Sequence, residues 1–174
     1  MSKENPSAII VMGVSGAGKS SIGERLAVRL GCRFVEGDRL HPASNVEKMA
    51  KGMPLTDEDR WPWLDLVGQE LAASVAEGKS LVLSCSSLKR IYRDRLRQAA
   101  GGHLRFVFLK GTPELLELRM GERTGHFMPL SLLHTQLATL ETPEGEEGVV
   151  TVDIDATLEE IVDAAHSGLM KQGL

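Results

Sequence analysis

The chain has little of what would place it in several large functional classes. It carries two cysteines in 174 residues, Cys32 and Cys85. Two thiols so placed give neither a disulfide framework nor a metal-ligand spacing, and reduced thiols in a cytosolic protein are the simplest expectation. No apolar run approaches the roughly 20 residues of a membrane span. The opening stretch, Met1 to Ser7, lacks the apolar core of a signal peptide and leads straight into a strand-like segment. Positive charge is in the minority: 20 Lys and Arg against 24 Asp and Glu leave a net charge of −4. A basic face for nucleic acid is therefore not expected. Internal repeats, low-complexity tracts and linkers are missing as well. What remains is ordinary for a globular protein, 42% hydrophobic and 25% charged, and the length suits one domain over 1–174 with a single core.

Against that background one stretch stands out. Gly13-Val14-Ser15-Gly16-Ala17-Gly18-Lys19-Ser20 follows the apolar run Ala8-Ile9-Ile10-Val11-Met12 and fits G-x-x-x-x-G-K-[ST] in full. The glycines let successive backbone N–H groups approach a phosphate chain. Lys19 brings a point positive charge to β- and γ-phosphates, and the Ser20 hydroxyl suits Mg²⁺. Ile22, Leu26 and Leu30 recur at i, i+4, i+8, so a helix N-terminus faces the same anion. A nucleoside triphosphate is the expected ligand.

Apolar runs predict strands over Ala8–Met12, Arg33–Glu36, Ser80–Ser84, Leu104–Leu109 and Val149–Ile154. Between them helical spacing links Leu64, Val67, Leu71 and Val75, then Leu88, Tyr92 and Leu96, then Leu158, Ile161, Ala165 and Leu169. Thr112-Pro113 marks a helix start, and Thr157 with Glu160 reads as a capping box. Such alternation predicts parallel strands with crossover helices: an α/β, three-layer P-loop fold with a five-stranded parallel sheet between helices. In sheets of this kind ligands gather at the carboxyl ends of the strands.

The second strand ends in Gly37-Asp38-Arg39-Leu40-His41-Pro42. Asp38 could take a proton from an attacking hydroxyl, orient it, or hold metal-bound water; it could equally cap the next turn. His41, just before Pro42, is expected at a helix N-cap with Asn45 and Lys48 on the same face. The third strand ends in Ser84-Cys85-Ser86, without the aspartate that many P-loop proteins place there for Mg²⁺. That absence argues against motor ATPases and GTPase switches and favours small kinases; Cys85 reads as a small buried filler. Beyond it, Lys89, Arg90, Arg93 and Arg97 share one arc of a helix, either a solvated face or a grip on an anionic substrate. Residues 119–130 read as a mobile lid, softened by Gly121 and Gly125 and carrying Arg119 and Arg123 over a triphosphate, or as an ordinary surface loop.

Taken together these motifs resemble the gluconokinase family of P-loop small-metabolite kinases. The matching stretches run from Gly13–Ser20 through Gly37-Asp38-Arg39-Leu40-His41-Pro42, Asn45, Lys48 and Met49. They continue in Gly52, Pro54, Leu55, Asp57-Glu58-Asp59-Arg60-Trp61-Pro62-Trp63-Leu64, Ser84–Lys89, Tyr92-Arg93-Asp94 and Leu96-Arg97. Last come Arg123, Gly125-His126-Phe127-Met128-Pro129, Leu132-Leu133, Gln136 and Leu140-Glu141. Departures are small: Ala17 and Ser21 stand where the family often has Ser and Thr, and Thr135 where Ser is usual. The resemblance implies ATP- and Mg²⁺-dependent phosphorylation of D-gluconate at its 6-hydroxyl, with an architecture similar to shikimate kinase. It implies ATP contacts from Gly13, Val14, Ser15, Gly16, Ala17, Gly18, Lys19, Ser20 and Ser21. Arg119 would lie against the adenine and Arg123 over the phosphates. Lys19, Asp38 and Arg123 would be catalytic, with Asp38 orienting or deprotonating the hydroxyl. On the substrate side it implies Asp38, His41, Arg60 for the carboxylate, the basic face Lys89, Arg90 and Arg93, and His126 and Gln136. No nucleic-acid or membrane partner is implied; family members are often homodimers. Other readings of the same residues are a kinase for shikimate, a nucleoside monophosphate or another small hydroxylated acid, or a nucleotide-binding module without transfer chemistry.

Overall fold

Five strands, β1 (Ala8–Met12), β2 (Arg33–Glu36), β3 (Leu81–Ser84), β4 (Leu104–Lys110) and β5 (Val149–Asp153), pair in parallel in the order β2-β3-β1-β4-β5. The computed structural model describes residues 6–122 and 130–173. Every residue of β1 is buried, because a central parallel strand is covered on both faces; an uninterrupted apolar run is what that position requires. Bounds differ from the apolar runs by one residue at β3, β4 and β5. At β3 the reason is visible: the Ser80 hydroxyl accepts the Ser7 N–H at 3.0 Å, so Ser80 closes the sheet edge with its side chain.

The helices are α1 (Lys19–Leu30), α2 (Ala43–Ala50), α3 (Asp57–Ala76), α4 (Arg90–Ala99), α5 (Pro113–Glu122), α6 (Leu130–Thr139) and α7 (Leu158–Lys171). In α1, Ile22 and Leu26 are buried, and Gly31, with φ 68°, ends the helix in a left-handed cap bonded to the Ala27 and Val28 carbonyls. Apolar spacing located α3 from Leu64 onward, but the helix begins at Asp57. Thr56 and Asp59 form a reciprocal capping box, at 3.1 and 2.9 Å, that nucleates it ahead of Pro62. At α7 the Thr157 hydroxyl accepts the Glu160 N–H at 3.2 Å, while the Glu160 carboxylate meets that same hydroxyl. His41 is not the N-cap of α2: that position is Pro42, and His41 closes the short 3₁₀ turn Gly37–Leu40.

One hydrophobic core joins the sheet to the helices on both sides, from Ile9 and Val11 to Trp63, Leu71, Tyr92, Phe106, Ile161 and Leu169. Strand register then aligns the functional edge. Ser84 lies level with Val11 on one side and with Glu36 on the other, so three strands end together just before Gly13, Cys85 and Gly37.

Candidate active site

The loop between β1 and α1 is held from above by the helices that follow β4. A Cβ on Gly16, whose φ is +84°, would sit 2.8 Å from Met120 Cγ and 3.1 Å from the Leu116 carbonyl, so no larger residue fits beneath α5. From α6, the Gln136 side-chain carbonyl accepts from the Ser15 N–H at 2.8 Å and from the Ser15 hydroxyl at 3.1 Å. Lys19 Nζ donates to the Val14 carbonyl at 3.0 Å. These are groups a phosphate chain would engage: backbone N–H, lysine and helix N-terminus.

The missing aspartate at the end of β3 has a counterpart one strand away. Glu36 ends β2, and its carboxylate accepts from the Ser20 hydroxyl on one oxygen and from the Ser84 hydroxyl, at 2.6 Å, on the other. Register makes this possible by setting Glu36 opposite Ser84. Sequence reasoning passed Glu36 over, although its place two residues before Asp38 at a strand end was a usable signal. Hydroxyl and carboxylate oxygens suit Mg²⁺, which keeps several waters and takes one or two carboxylates together with phosphates. The Ser20 hydroxyl and the Glu36 carboxylate set two such oxygens side by side, which fits an ion carried in with a nucleotide; among the described residues no group of three or more His, Cys, Asp or Glu could hold a metal by itself.

Beside the P-loop lies a pocket lined by Lys19, Asp38, His41, Arg60 and Trp63, with Ser15, Met49, Pro54, Leu55, Ser86, Leu88, Leu132, Thr135 and Gln136 completing it. The turn bearing Asp38 is pinned. Gly37 donates its N–H to Ser84 Oγ at 3.2 Å and accepts from Trp63 Nε1 at 2.9 Å. A Cβ on Gly37 would lie 1.9 Å from the Ser84 carbonyl, so only glycine allows this approach. His41 stacks on Trp63, centroids 3.9 Å apart and planes 17° apart. Burial, reinforced by the Arg60 charge, drives the His41 pKa down to about 4. Arg60 is 8% exposed; its Nη1 donates to the Tyr92 hydroxyl at 2.9 Å and its guanidinium lies over that ring. The Tyr92 hydroxyl in turn donates to Asp57, which also receives Lys89 Nζ at 3.1 Å. Those bonds from Tyr92 and Lys89 hold the Asp57 carboxyl below its usual range.

Among the described residues the basic candidates Lys89, Arg90 and Arg93 do not line this pocket. Arg90 is exposed and pairs with Asp94. Lys89 reaches the pocket only through Asp57 and Tyr92. Arg93 corrects the expectation most sharply: its side chain is fully buried, forked onto Glu146 at 3.0 and 2.6 Å. Its Nη1 also donates to the carbonyls of Ser87, at 2.8 Å, and Leu88, at 3.1 Å. Ser87 has a φ of 51°, rare outside glycine, and Arg93 holds that bend from behind. Arg119 donates to the Ile154 carbonyl just past β5. Arg123, His126 and most of the expected lid lie outside the described residues. Cys85 is buried and its thiol is pushed up to about 12, chiefly by burial, which leaves it inert at neutral pH.

A family model described as an AAA domain matches residues 9–143. The chain is 49% identical over 164 residues to the gluconokinase of Gluconobacter oxydans (strain 621H), covering 90% of each. It is 42% identical over 165 residues to the thermoresistant gluconokinase of Escherichia coli (strain K12), covering 94% of this chain and 93% of that one. The crystal structure of a gluconokinase from Sinorhizobium meliloti 1021 superposes with a TM-score of 0.89 at 54% identity, covering 97% of this chain and 94% of that chain.

Proposed function

The chain belongs to the gluconokinase family, and on that premise we propose that it transfers the terminal phosphoryl group of ATP to the 6-hydroxyl of D-gluconate, releasing 6-phospho-D-gluconate and ADP. The observation that carries the reading is one pocket lined at once by the P-loop Lys19, the carboxylate Asp38 and the buried cation Arg60. Phosphoryl transfer needs little covalent help from the protein; it needs donor and acceptor in line and charge neutralised.

In this reading the P-loop backbone and Lys19 hold the phosphates, and Ser20 with Glu36 would hold a magnesium ion. Bound with ATP, that ion would supply neutralisation of the phosphate charge. Asp38 accepts a hydrogen bond from the 6-hydroxyl, aims its oxygen at the γ-phosphorus and receives its proton. Arg60, held flat by Tyr92, pairs its free N–H groups with the substrate carboxylate. Arg119 serves the adenine and Arg123 the transferring phosphoryl group. A cytoplasmic homodimer completes the proposal; sedimentation of the purified protein tests the dimer.

ADP release measured with D-gluconate, shikimate, nucleoside monophosphates and no acceptor tests the function. Gluconate-dependent turnover well above the no-acceptor background is expected. Turnover with another acceptor and none with gluconate overturns the substrate; acceptor-independent ADP release alone overturns the kinase.

A further inference from the structure

We propose that Asn45 is a positioning residue of the acceptor pocket, holding His41 as a neutral donor that offers Nε2–H to a substrate oxygen. The inference rests on the reading of this pocket as the acceptor site. It starts from the one residue that α2 buries, Asn45, which is 2% exposed. Asn45 Nδ2 donates to the Asp59 carbonyl at 2.9 Å and lies 3.2 Å from His41 Nδ1. A backbone carbonyl can only accept, so the amide nitrogen, not its oxygen, faces Asp59. That orientation leaves the second N–H of the same nitrogen pointing at His41, so Nδ1 accepts and the ring proton sits on Nε2.

The rest of the surroundings favours the same state. A charged imidazolium would carry a proton on Nδ1 and confront the Asn45 N–H donor to donor. Burial and the Arg60 cation oppose the charged form as well. The ring cannot swing away, since one face lies on Trp63 and Trp63 is tied to Gly37. Among the described residues Nε2 has no partner, and no buried side-chain polar atom lacks one, so the Nε2 edge faces open space. Beside it Asp38 can only accept and Arg60 can only donate. A polyhydroxy acid offers oxygens for all three, whereas an acceptor lacking the matching hydroxyl leaves an N–H unsatisfied in a half-buried site.

Two measurements on the full chain test this. In the first, two-bond ¹H–¹⁵N correlation spectra of wild type at neutral pH should show His41 with an unprotonated Nδ1 and a protonated Nε2; in Asn45→Ala the two nitrogens should shift toward a mixture. In the second, kcat/KM is measured for D-gluconate and its monodeoxy analogues. His41→Phe, which keeps the stack and removes the donor, should lose about 5- to 100-fold with D-gluconate and lose discrimination against one deoxy analogue. His41→Gln, which restores an N–H, should recover part of it, while the KM for ATP stays unchanged in each. A protonated Nδ1 in wild type, or a His41→Phe enzyme with undiminished kcat/KM, overturns the proposal. If gluconate is not a substrate of wild type at all, the functional reading fails instead, and the tautomer measurement still judges Asn45 separately.

Discussion

His41 makes a prediction that can be worked through to a number. In the folded protein its pKa is about 4 against 6.5 for the free side chain, mainly because burial disfavours the charged ring, with the Arg60 guanidinium adding to the effect. The unfolded chain therefore binds one more proton than the folded one between those two values. Stability is complete above pH 6.5 and is lost as pH falls toward 4. Near pH 5 the unfolded ring is almost fully protonated and the folded ring almost fully neutral, so the slope is about 1.2 kcal/mol per pH unit, and the whole window is worth about 3 kcal/mol. Asp59 is also held low, at about 2, by the Lys48 ammonium and the Thr56 N–H, but its loss falls below pH 3.8 and does not overlap. The assay is urea unfolding of wild type and His41→Gln at half-unit steps from pH 4.5 to 7.5. The wild-type curve should fall toward acid more steeply by that slope, and the difference between the two should flatten above pH 6.5. Parallel curves across the range would show that His41 titrates alike in both states, which would refute its burial as a neutral ring.

Three further outcomes follow from the same geometry. Asp38→Asn should keep ATP affinity and lower gluconate-dependent kcat by about 10²- to 10⁴-fold; a collapse of ATP affinity would make Asp38 a metal or structural group. Arg60→Lys should raise the gluconate KM without restoring the bond to Tyr92, because an ammonium cannot present the planar fork; an unchanged KM would move the carboxylate elsewhere. Arg93→Ala should cost about 1.5–3 kcal/mol in chemical denaturation, since it removes the buried fork on Glu146 and leaves that carboxylate to Arg97 alone; wild-type stability with impaired gluconate binding would return Arg93 to the substrate.

Much of the fold was legible because its signals are local. The β1 run is apolar throughout since both its faces are covered, and the P-loop follows it directly in sequence. The helices behind the sheet show their buried stripes at three- and four-residue spacing. By contrast α2 buries only Asn45, so no apolar stripe announces it, and the N-cap was assigned one residue early. The site was legible as far as its residues stand at strand ends. Lys19, Asp38 and His41 meet in one pocket because parallel strands in register end at one level, and Arg60 reaches it from the first turn of α3.

What stayed hidden depends on partners far apart in the chain. On a helical wheel Arg93 looks like its neighbours Arg90 and Arg97, and nothing within a turn of it reveals that Glu146 lies 53 residues on. The pairing changes what the basic run does. Arg93 holds the Ser87 bend and the Leu88 carbonyl from inside. Glu141 completes the clamp, donating its N–H to that same Leu88 carbonyl at 2.8 Å and capping Arg90 N–H with its carboxylate at 2.9 Å. Ser86 and Leu88 form one wall of the pocket, so these charges shape the acceptor site without facing it. Glu36 is the converse case: a residue with no motif of its own becomes the carboxylate beside Ser20 because register sets it against Ser84. Charge read along the sequence counts candidates, and pairing across strands decides which of them face the ligand.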